Sequence, residues 1–138
     1  MHIFWRFLKK LLYPISMWYN MLHKICEDRS IDEGSTRLFT VSKDDHILSI
    51  LIGRKNNILF ACDNYCPHRG ASLSKSQLSC ENDRLICYLH DFEYNVFSGK
   101  LEKIPEKWKD QSSEWKNSRD LLIYRIFEND GAIFVDIP

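Results

Sequence analysis

The chain has 138 residues, of which 44% are hydrophobic and 13% aromatic, a composition that suits one globular domain with a modest core. Lys plus Arg and Asp plus Glu both total 19, so the formal net charge is zero and the basic excess of a general nucleic-acid-binding protein is absent. The five cysteines have no regular spacing and make a poor disulfide framework, so we expect a cytoplasmic protein with buried thiols or metal ligands.

Residues 1–25 form an N-terminal segment with four basic residues and no acidic residue. On a helical wheel the basic and polar residues share one side, and the apolar and aromatic residues share the other. This pattern predicts an amphipathic helix, interrupted at Pro14, that packs on protein; peripheral contact with a membrane surface is the alternative. The longest run without a charged residue or histidine has 12 residues, whereas a bilayer-spanning helix needs about 20.

After Ile31 the hydrophobic pattern shortens from a helical to a strand-like period. Short apolar runs separated by turn residues predict an antiparallel meander, followed by two hairpins, and the second hairpin turns at Asn129-Asp130-Gly131. The predicted strands are 36–41, 46–52 and 57–63 for the meander, 84–87 and 92–97 for the first hairpin, and 120–128 and 132–137 for the second. The polar stretch 106–118 is predicted to be a surface loop. The predicted class is therefore mainly β, with a helix at the front.

Two Cys–His pairs are the strongest chemical signal in the sequence. The first pair is Cys66 and His68, the second is Cys87 and His90, and 18 residues separate His68 from Cys87. Each pair follows a predicted strand end, so two facing loops could close on one site. Structural zinc accepts two thiolates and two imidazoles, but zinc fingers usually group the cysteines in one knuckle and the histidines in the other. One of each per loop also suits a binuclear iron cluster in which one iron takes both thiolates and the other both imidazoles. The other cysteines, at positions 26, 62 and 80, are expected to be buried or half-buried thiols.

The stretches CPHRGASL (66–73) and CYLHDFEYNVFSGKLEKIP (87–105) together resemble the Rieske [2Fe–2S] domain of Rieske non-haem iron oxygenases. The likeness extends to the closing hairpin YRIFENDGAIFVDIP and covers roughly residues 18 to 138. The resemblance implies a small antiparallel Rieske-type β-sandwich over residues 26–138, with a cluster-binding loop subdomain. It also implies one Rieske-type [2Fe–2S] cluster, with Cys66 and Cys87 on one iron and His68 and His90 on the other.

The resemblance implies an electron-transfer protein that passes single electrons to or from a reductase or a catalytic oxygenase subunit. Oxygenases of this type hold a second iron in a two-histidine, one-carboxylate site, and the remaining histidines, His2, His23 and His46, show no such spacing. The sequence also ends where a catalytic domain would begin, so we expect a redox component and not an enzyme by itself. The alternatives are a redox-sensing or scaffolding Rieske subunit of a larger complex and a zinc-binding structural module.

Three local differences refine the resemblance. Respiratory Rieske proteins have an extra cysteine in each loop, joined as a disulfide, and this chain has Ala71 and Leu89 there. The high-potential form has a hydroxyl soon after the second histidine, and here none occurs before Tyr94. Both differences favour a low reduction potential. Asp91 stands where the family usually has glycine, and a carboxylate beside His90 is expected to lower the potential further.

Overall fold

The computed structural model describes residues 22–109 and 119–138, which fall into two compact units. One unit combines the described residues up to Ser30 with Tyr124–Pro138, and the other comprises Ile31–Ile123. The predicted N-terminal amphipathic helix lies mostly in residues 1–21, outside the described residues, and stays a prediction. Residues 22–25, which the sequence assigned to the end of that segment, belong to a β-strand.

The described chain is mainly β and antiparallel, as predicted from the sequence. In chain order the strands are β1 (Leu22–Glu27), β2 (Thr36–Lys43), β3 (His46–Lys55), β4 (Ile58–Asp63), β5 (Gln77–Leu78), β6 (Arg84–Ile86), β7 (Glu93–Asn95), β8 (Leu101–Lys103), β9 (Ile123–Asn129) and β10 (Ala132–Asp136). One short helix, α1, spans Glu106–Lys109, and 3-10 turns occupy Asp28–Ser30 and Leu73–Lys75. Among the described residues, no helix has the length and apolar character needed to cross a membrane.

The first unit is built on the predicted closing hairpin. Strands β9 and β10 pair with Asn129 opposite Ala132, and β1 pairs with the other side of β10. The two residues of the turn, Asp130 and Gly131, have φ values of 52° and 76°. Positive φ at both positions is what a two-residue hairpin loop of type I′ requires, and Asp-Gly is a preferred pair for it.

The second unit contains the predicted meander β2–β3–β4, in that order. Both of its turns have two consecutive residues at positive φ, Asp44-Asp45 and Asn56-Asn57, and Asp and Asn tolerate this conformation better than other side chains. The Glu33 carboxylate accepts hydrogen bonds from the main-chain N–H groups of Asn56 and Asn57. These contacts fix the second turn against the start of the unit.

A second sheet in the same unit, in the order β5-β6-β7-β8, carries the hairpin predicted for residues 84–97. Strands β5 and β8 were not predicted, because two or three residues are too few to show a period. After the hairpin, Gly99 adopts a φ of +80°, and a β-carbon there would lie 2.2 Å from the Leu121 carbonyl oxygen. Only glycine therefore allows the chain to pass so close at this point.

The hydrophobic core of this unit lies directly beneath the two Cys–His loops. Its apolar and aromatic members are Leu51, Phe60, Leu73, Leu85, Phe92, Tyr94, Val96 and Leu121. The two motif cysteines belong to the same cluster, with only 3% (Cys66) and 2% (Cys87) of each residue exposed. Close packing of this kind fixes the positions of both sulfur atoms.

Candidate metal centre

The first ligand loop, residues 66–71, is closed by two main-chain hydrogen bonds. The Cys66 N–H donates to the Ala71 carbonyl at 2.8 Å, and the Gly70 N–H donates to the Cys66 carbonyl at 2.7 Å. Gly70 has a φ of +73°, the left-handed conformation in which glycine carries no steric penalty. This conformation turns the chain back so that Ala71 pairs with Cys66.

The second ligand loop, residues 87–92, repeats the same pattern. The Cys87 N–H donates to the Phe92 carbonyl and the Asp91 N–H donates to the Cys87 carbonyl, both at 2.9 Å. Asp91 therefore occupies the position that Gly70 has in the first loop, with a φ of 60°. Because aspartate is one of the few non-glycine residues that tolerate this region, the second loop makes the same turn without glycine.

The two cysteine sulfurs, one from each loop, lie in contact. The Cys87 thiol hydrogen-bonds the Cys66 sulfur, and this bond lowers the pKa of Cys66 to about 6 while it raises the pKa of Cys87. Main-chain N–H groups of the residues two and three positions after each cysteine also hydrogen-bond its sulfur and lower its pKa. Each loop is thus a small cradle of N–H donors around a buried sulfur, which favours the thiolate form that binds metal.

The two imidazoles also lie in contact with each other. The ring centroids of His68 and His90 are 5.1 Å apart, with the planes inclined at 71°. Both residues are half-buried, and the Nδ1 atom of His90 is excluded from solvent. The loops therefore bring sulfur next to sulfur and imidazole next to imidazole, although each loop contributes one of each.

Tyr94 contributes a further contact that the sequence did not reveal. Its side chain is fully buried, and its hydroxyl oxygen lies 3.4 Å from the Cys66 Sγ atom, where it helps to lower the pKa of Cys66. A low potential was expected because no hydroxyl follows His90 before Tyr94, but Tyr94 itself places a hydroxyl at the sulfur. The available signal was a two-residue period in and around β7, where Phe92, Tyr94 and Val96 are buried and the residues between them are half-buried.

Asn64 closes the base of the first ligand loop through its side chain. It is 2% exposed, its Nδ2 donates to the Ser72 Oγ at 2.9 Å, and its Oδ1 accepts from the Ser74 N–H at 2.9 Å. The second loop continues directly from paired strands, whereas the first is flanked by a single bridge between Tyr65 and Ser72. The amide side chain thus supplies the closure that a longer ladder would otherwise give.

The donor set fits a binuclear cluster better than one tetrahedral ion. No three His, Cys, Asp or Glu side chains among residues 22–109 and 119–138 are placed to share one metal ion. Structural zinc needs four ligands around a single position. A [2Fe–2S] cluster needs only two protein ligands at each iron, and the contacts sort the donors into one sulfur pair and one imidazole pair.

The remaining cysteines do not join this site. Burial raises the pKa of the Cys62 thiol to about 12, so Cys62 is an inert thiol of the core, as expected. Cys26 is half-buried on β1, also as expected. The expectation is wrong for Cys80, which is exposed because it lies in the loop between β5 and β6.

Of the other histidines, His46 is exposed beside the β2–β3 turn, and His2 lies outside the described residues.

Comparisons with known proteins agree with this geometry. The family model for the Rieske [2Fe-2S] domain matches residues 21–125. The ferredoxin of carbazole 1,9a-dioxygenase from Nocardioides aromaticivorans IC177 is a structural neighbour with a TM-score of 0.68 and 17% identity, covering 86% of this chain and 99% of the ferredoxin. The terminal oxygenase of carbazole 1,9a-dioxygenase from Novosphingobium sp. KA1 has a TM-score of 0.71 and 21% identity, covering 86% of this chain but 30% of the oxygenase.

A third neighbour comes from a complex of reduced oxygenase and oxidized ferredoxin in carbazole 1,9a-dioxygenase, with a TM-score of 0.66 and 20% identity. It covers 85% of this chain and 94% of its own chain. Curated protein sequences give no significant match. At these identities the structural neighbours establish a Rieske-like fold, and the family match establishes the Rieske-type [2Fe–2S] cluster.

Proposed function

The chain belongs to the Rieske [2Fe–2S] domain family, and we propose that it is an electron-transfer protein that passes single electrons between redox partners. The pairing of like donors across the two loops carries the proposal, because it matches a cluster with two thiolates on one iron and two imidazoles on the other. Cys66 and Cys87 would hold the first iron, and His68 and His90 the second. When bound, the cluster supplies one-electron chemistry at a potential of about −150 to +300 mV.

Different residues around the site influence the charge on the sulfurs and the exposure of the histidines. The core keeps water from the sulfurs, and the N–H donors of both loops favour negative charge on them. The histidines lie nearer the surface, half-buried, in the loop that each shares with its cysteine. We infer that electrons enter and leave along this histidine edge.

Three large apolar side chains flank the ligand loops and are about half exposed. Tyr65 precedes Cys66 and is 50% exposed, while Tyr88 and Leu89, in the second loop, are 48% and 47% exposed. Apolar side chains beside a redox centre suit a small, transient docking surface. In carbazole dioxygenase, solved complexes contain an oxygenase together with a ferredoxin. We therefore propose an oxygenase as the electron acceptor of this chain and a reductase as the electron donor. Chemistry on a substrate would belong to such a partner.

The proposed boundaries are residues 26–138 for the Rieske domain and residues 1–25 for the separate N-terminal segment. The family match begins at residue 21 and β1 at Leu22, so the N-terminal end of the domain is the part to test. A version that lacks residues 1–25 should keep its cluster if the segment is separate. Loss of the cluster would place the segment within the domain.

The experiment that tests the function is EPR spectroscopy of the dithionite-reduced protein, with iron, sulfide and zinc analysis of the same sample. We expect a Rieske-type signal with two irons and two sulfides per chain. Cys66→Ser and Cys87→Ser should lose the cluster, whereas Cys80→Ser, which changes an exposed cysteine, should keep it. His68→Cys or His90→Cys should lower the potential sharply, because a thiolate adds negative charge. A colourless protein with one zinc per chain would overturn the proposal.

Electron transfer itself needs a kinetic test, since a sensing or scaffolding subunit would give the same spectrum. A flavin-dependent reductase and an electron acceptor of the oxygenase class supply the two half-reactions. We expect the cluster to be reduced and reoxidised within each catalytic cycle. A cluster that stays in one oxidation state while its partners turn over would favour the sensing or scaffolding role.

A further inference from the structure

An aromatic side chain of the second ligand loop lies flat against the histidine of the first. The ring centroids of Phe92 and His68 are 4.1 Å apart, and the ring planes differ by only 9°. His90 meets the same imidazole edge-on, at 71°. The two loops therefore touch through a parallel stack as well as through their sulfurs.

Phe92 is held on every side, so its ring is a rigid surface. The side chain is fully buried in the core beneath the loops, and its carbonyl accepts the Cys87 N–H at 2.9 Å. The main-chain bond ties Phe92 to the cysteine of its own loop, while the ring reaches across to the other loop. Through Phe92, the orientation of the His68 ring therefore depends on the backbone of the second loop.

A flat neighbour matters because an imidazole bound through one nitrogen can still rotate about the bond to its metal. A parallel aromatic ring at this separation removes that freedom, since rotation would drive the imidazole into the ring. The plane of a ligated imidazole also determines how its π orbitals overlap with the metal orbitals. Fixing the plane in advance avoids reorganisation each time the charge on the site changes.

We propose that Phe92 is a positioning residue that fixes the plane of the His68 imidazole towards the cluster. The inference rests on the proposed function, because it requires His68 to be a ligand. It assigns the two histidines different supports, with His68 oriented by an aromatic ring of the opposite loop. It also predicts that loss of the ring alters the environment of one ligating nitrogen and leaves the other unchanged.

The test compares cluster-loaded variants by pulsed EPR, which reads the nitrogen couplings of the two imidazoles separately. Phe92→Leu keeps an apolar side chain but removes the flat ring, and Phe92→Met repeats the change with a flexible side chain that fills gaps. We expect a shift and broadening of one nitrogen coupling, with the second coupling unchanged. Phe92→Tyr keeps the ring, so its spectrum should match the wild type even if the buried hydroxyl lowers its stability.

Phe60→Leu is the matched control for loss of core packing. Phe60 is 2% exposed in the same core and meets Phe97 edge-on, with ring centroids 6.1 Å apart. We expect this control to lose stability as Phe92→Leu does, with both nitrogen couplings unchanged.

Three results would overturn the positioning role. Unchanged couplings in Phe92→Leu and Phe92→Met would do so, as would the same coupling shift in the Phe60→Leu control. If neither non-aromatic variant assembles a cluster, Phe92 is a folding residue instead. Failure of the proposed function looks different, because the wild-type protein itself would then lack the two irons and the Rieske signal.

Discussion

Replacing Tyr94 with phenylalanine should lower the reduction potential of the cluster. The change removes one hydroxyl from a fully buried ring whose oxygen lies 3.4 Å from the Cys66 Sγ atom. In the loaded protein Cys66 is a thiolate, so the hydroxyl must be the donor of this hydrogen bond. Reduction adds negative charge to the site, and a donor at the sulfur stabilises the more negative state more strongly.

The size of the shift follows from that difference in hydrogen-bond strength. A hydrogen bond contributes about 0.5–1.5 kcal/mol between neutral groups and about 1.5–3 kcal/mol to a charged group. The extra charge of the reduced state is shared among several atoms, so we take about 1 kcal/mol as the difference between the two oxidation states. For a one-electron couple this corresponds to roughly 40 mV, since 59 mV is a tenfold change. The variant should therefore have a potential about 40 mV below that of the wild type.

Dye-equilibrated redox titration followed by EPR measures this shift directly. Tyr65→Phe is the matched control, because Tyr65 adjoins Cys66 in sequence but its hydroxyl lies 3.4 Å from the Ser49 Oγ instead. Its potential should stay at the wild-type value. An unchanged or raised potential in Tyr94→Phe, with an intact cluster, would refute the reasoning. Equal shifts in both variants would point to a general change in the loop.

Three further predictions concern the loops and the turn behind them. Asn64→Ala should speed loss of the cluster several-fold, measured by the decay of visible absorbance, because it removes both side-chain hydrogen bonds at the base of the first loop. Asn95→Ala, which removes two similar contacts to main-chain N–H groups in another turn, should leave that rate unchanged. Asp91→Asn keeps a residue that tolerates positive φ but removes the charge, so the potential should rise by some tens of millivolts in a redox titration; an unchanged value would exclude the carboxylate as a determinant. Gly99→Ala should destabilise the protein by about 3 kcal/mol or more in thermal unfolding, against about 1 kcal/mol for Gly131→Ala, whose added β-carbon meets no atom within 4 Å. Similar losses in the two glycine variants would show that the close approach at Gly99 relaxes at little cost.

The parts of the fold predicted from the sequence are those with local signals. The meander and both hairpins combine short apolar runs with Asp, Asn and Gly turns, and the structure confirms them. The candidate site rested on a motif that fixes residue types and spacing together, and the structure places the two cysteines in contact with each other and the two histidines in contact with each other.

The parts that were missed depend on contacts distant in sequence. Residues 22–25 were assigned to the helical segment because apolar and basic residues at this spacing fit a helix as well as a strand. The strand that they join is specified by β10, where Leu22 lies opposite Asp136, and no local signal reveals such a pairing. The contact between Tyr94 and Cys66 likewise depends on how two loops face each other, which sequence spacing alone does not determine.

The equivalence of Gly70 and Asp91 has a consequence for how such centres diversify. Both residues occupy the fifth position of a six-residue turn closed by the same two hydrogen bonds, at φ values of +73° and 60°. Glycine, asparagine and aspartate all tolerate this conformation, so the position can gain or lose a charge without rebuilding the turn. A single substitution at this one backbone position would therefore change the driving force of electron transfer while the ligands and the core stay the same.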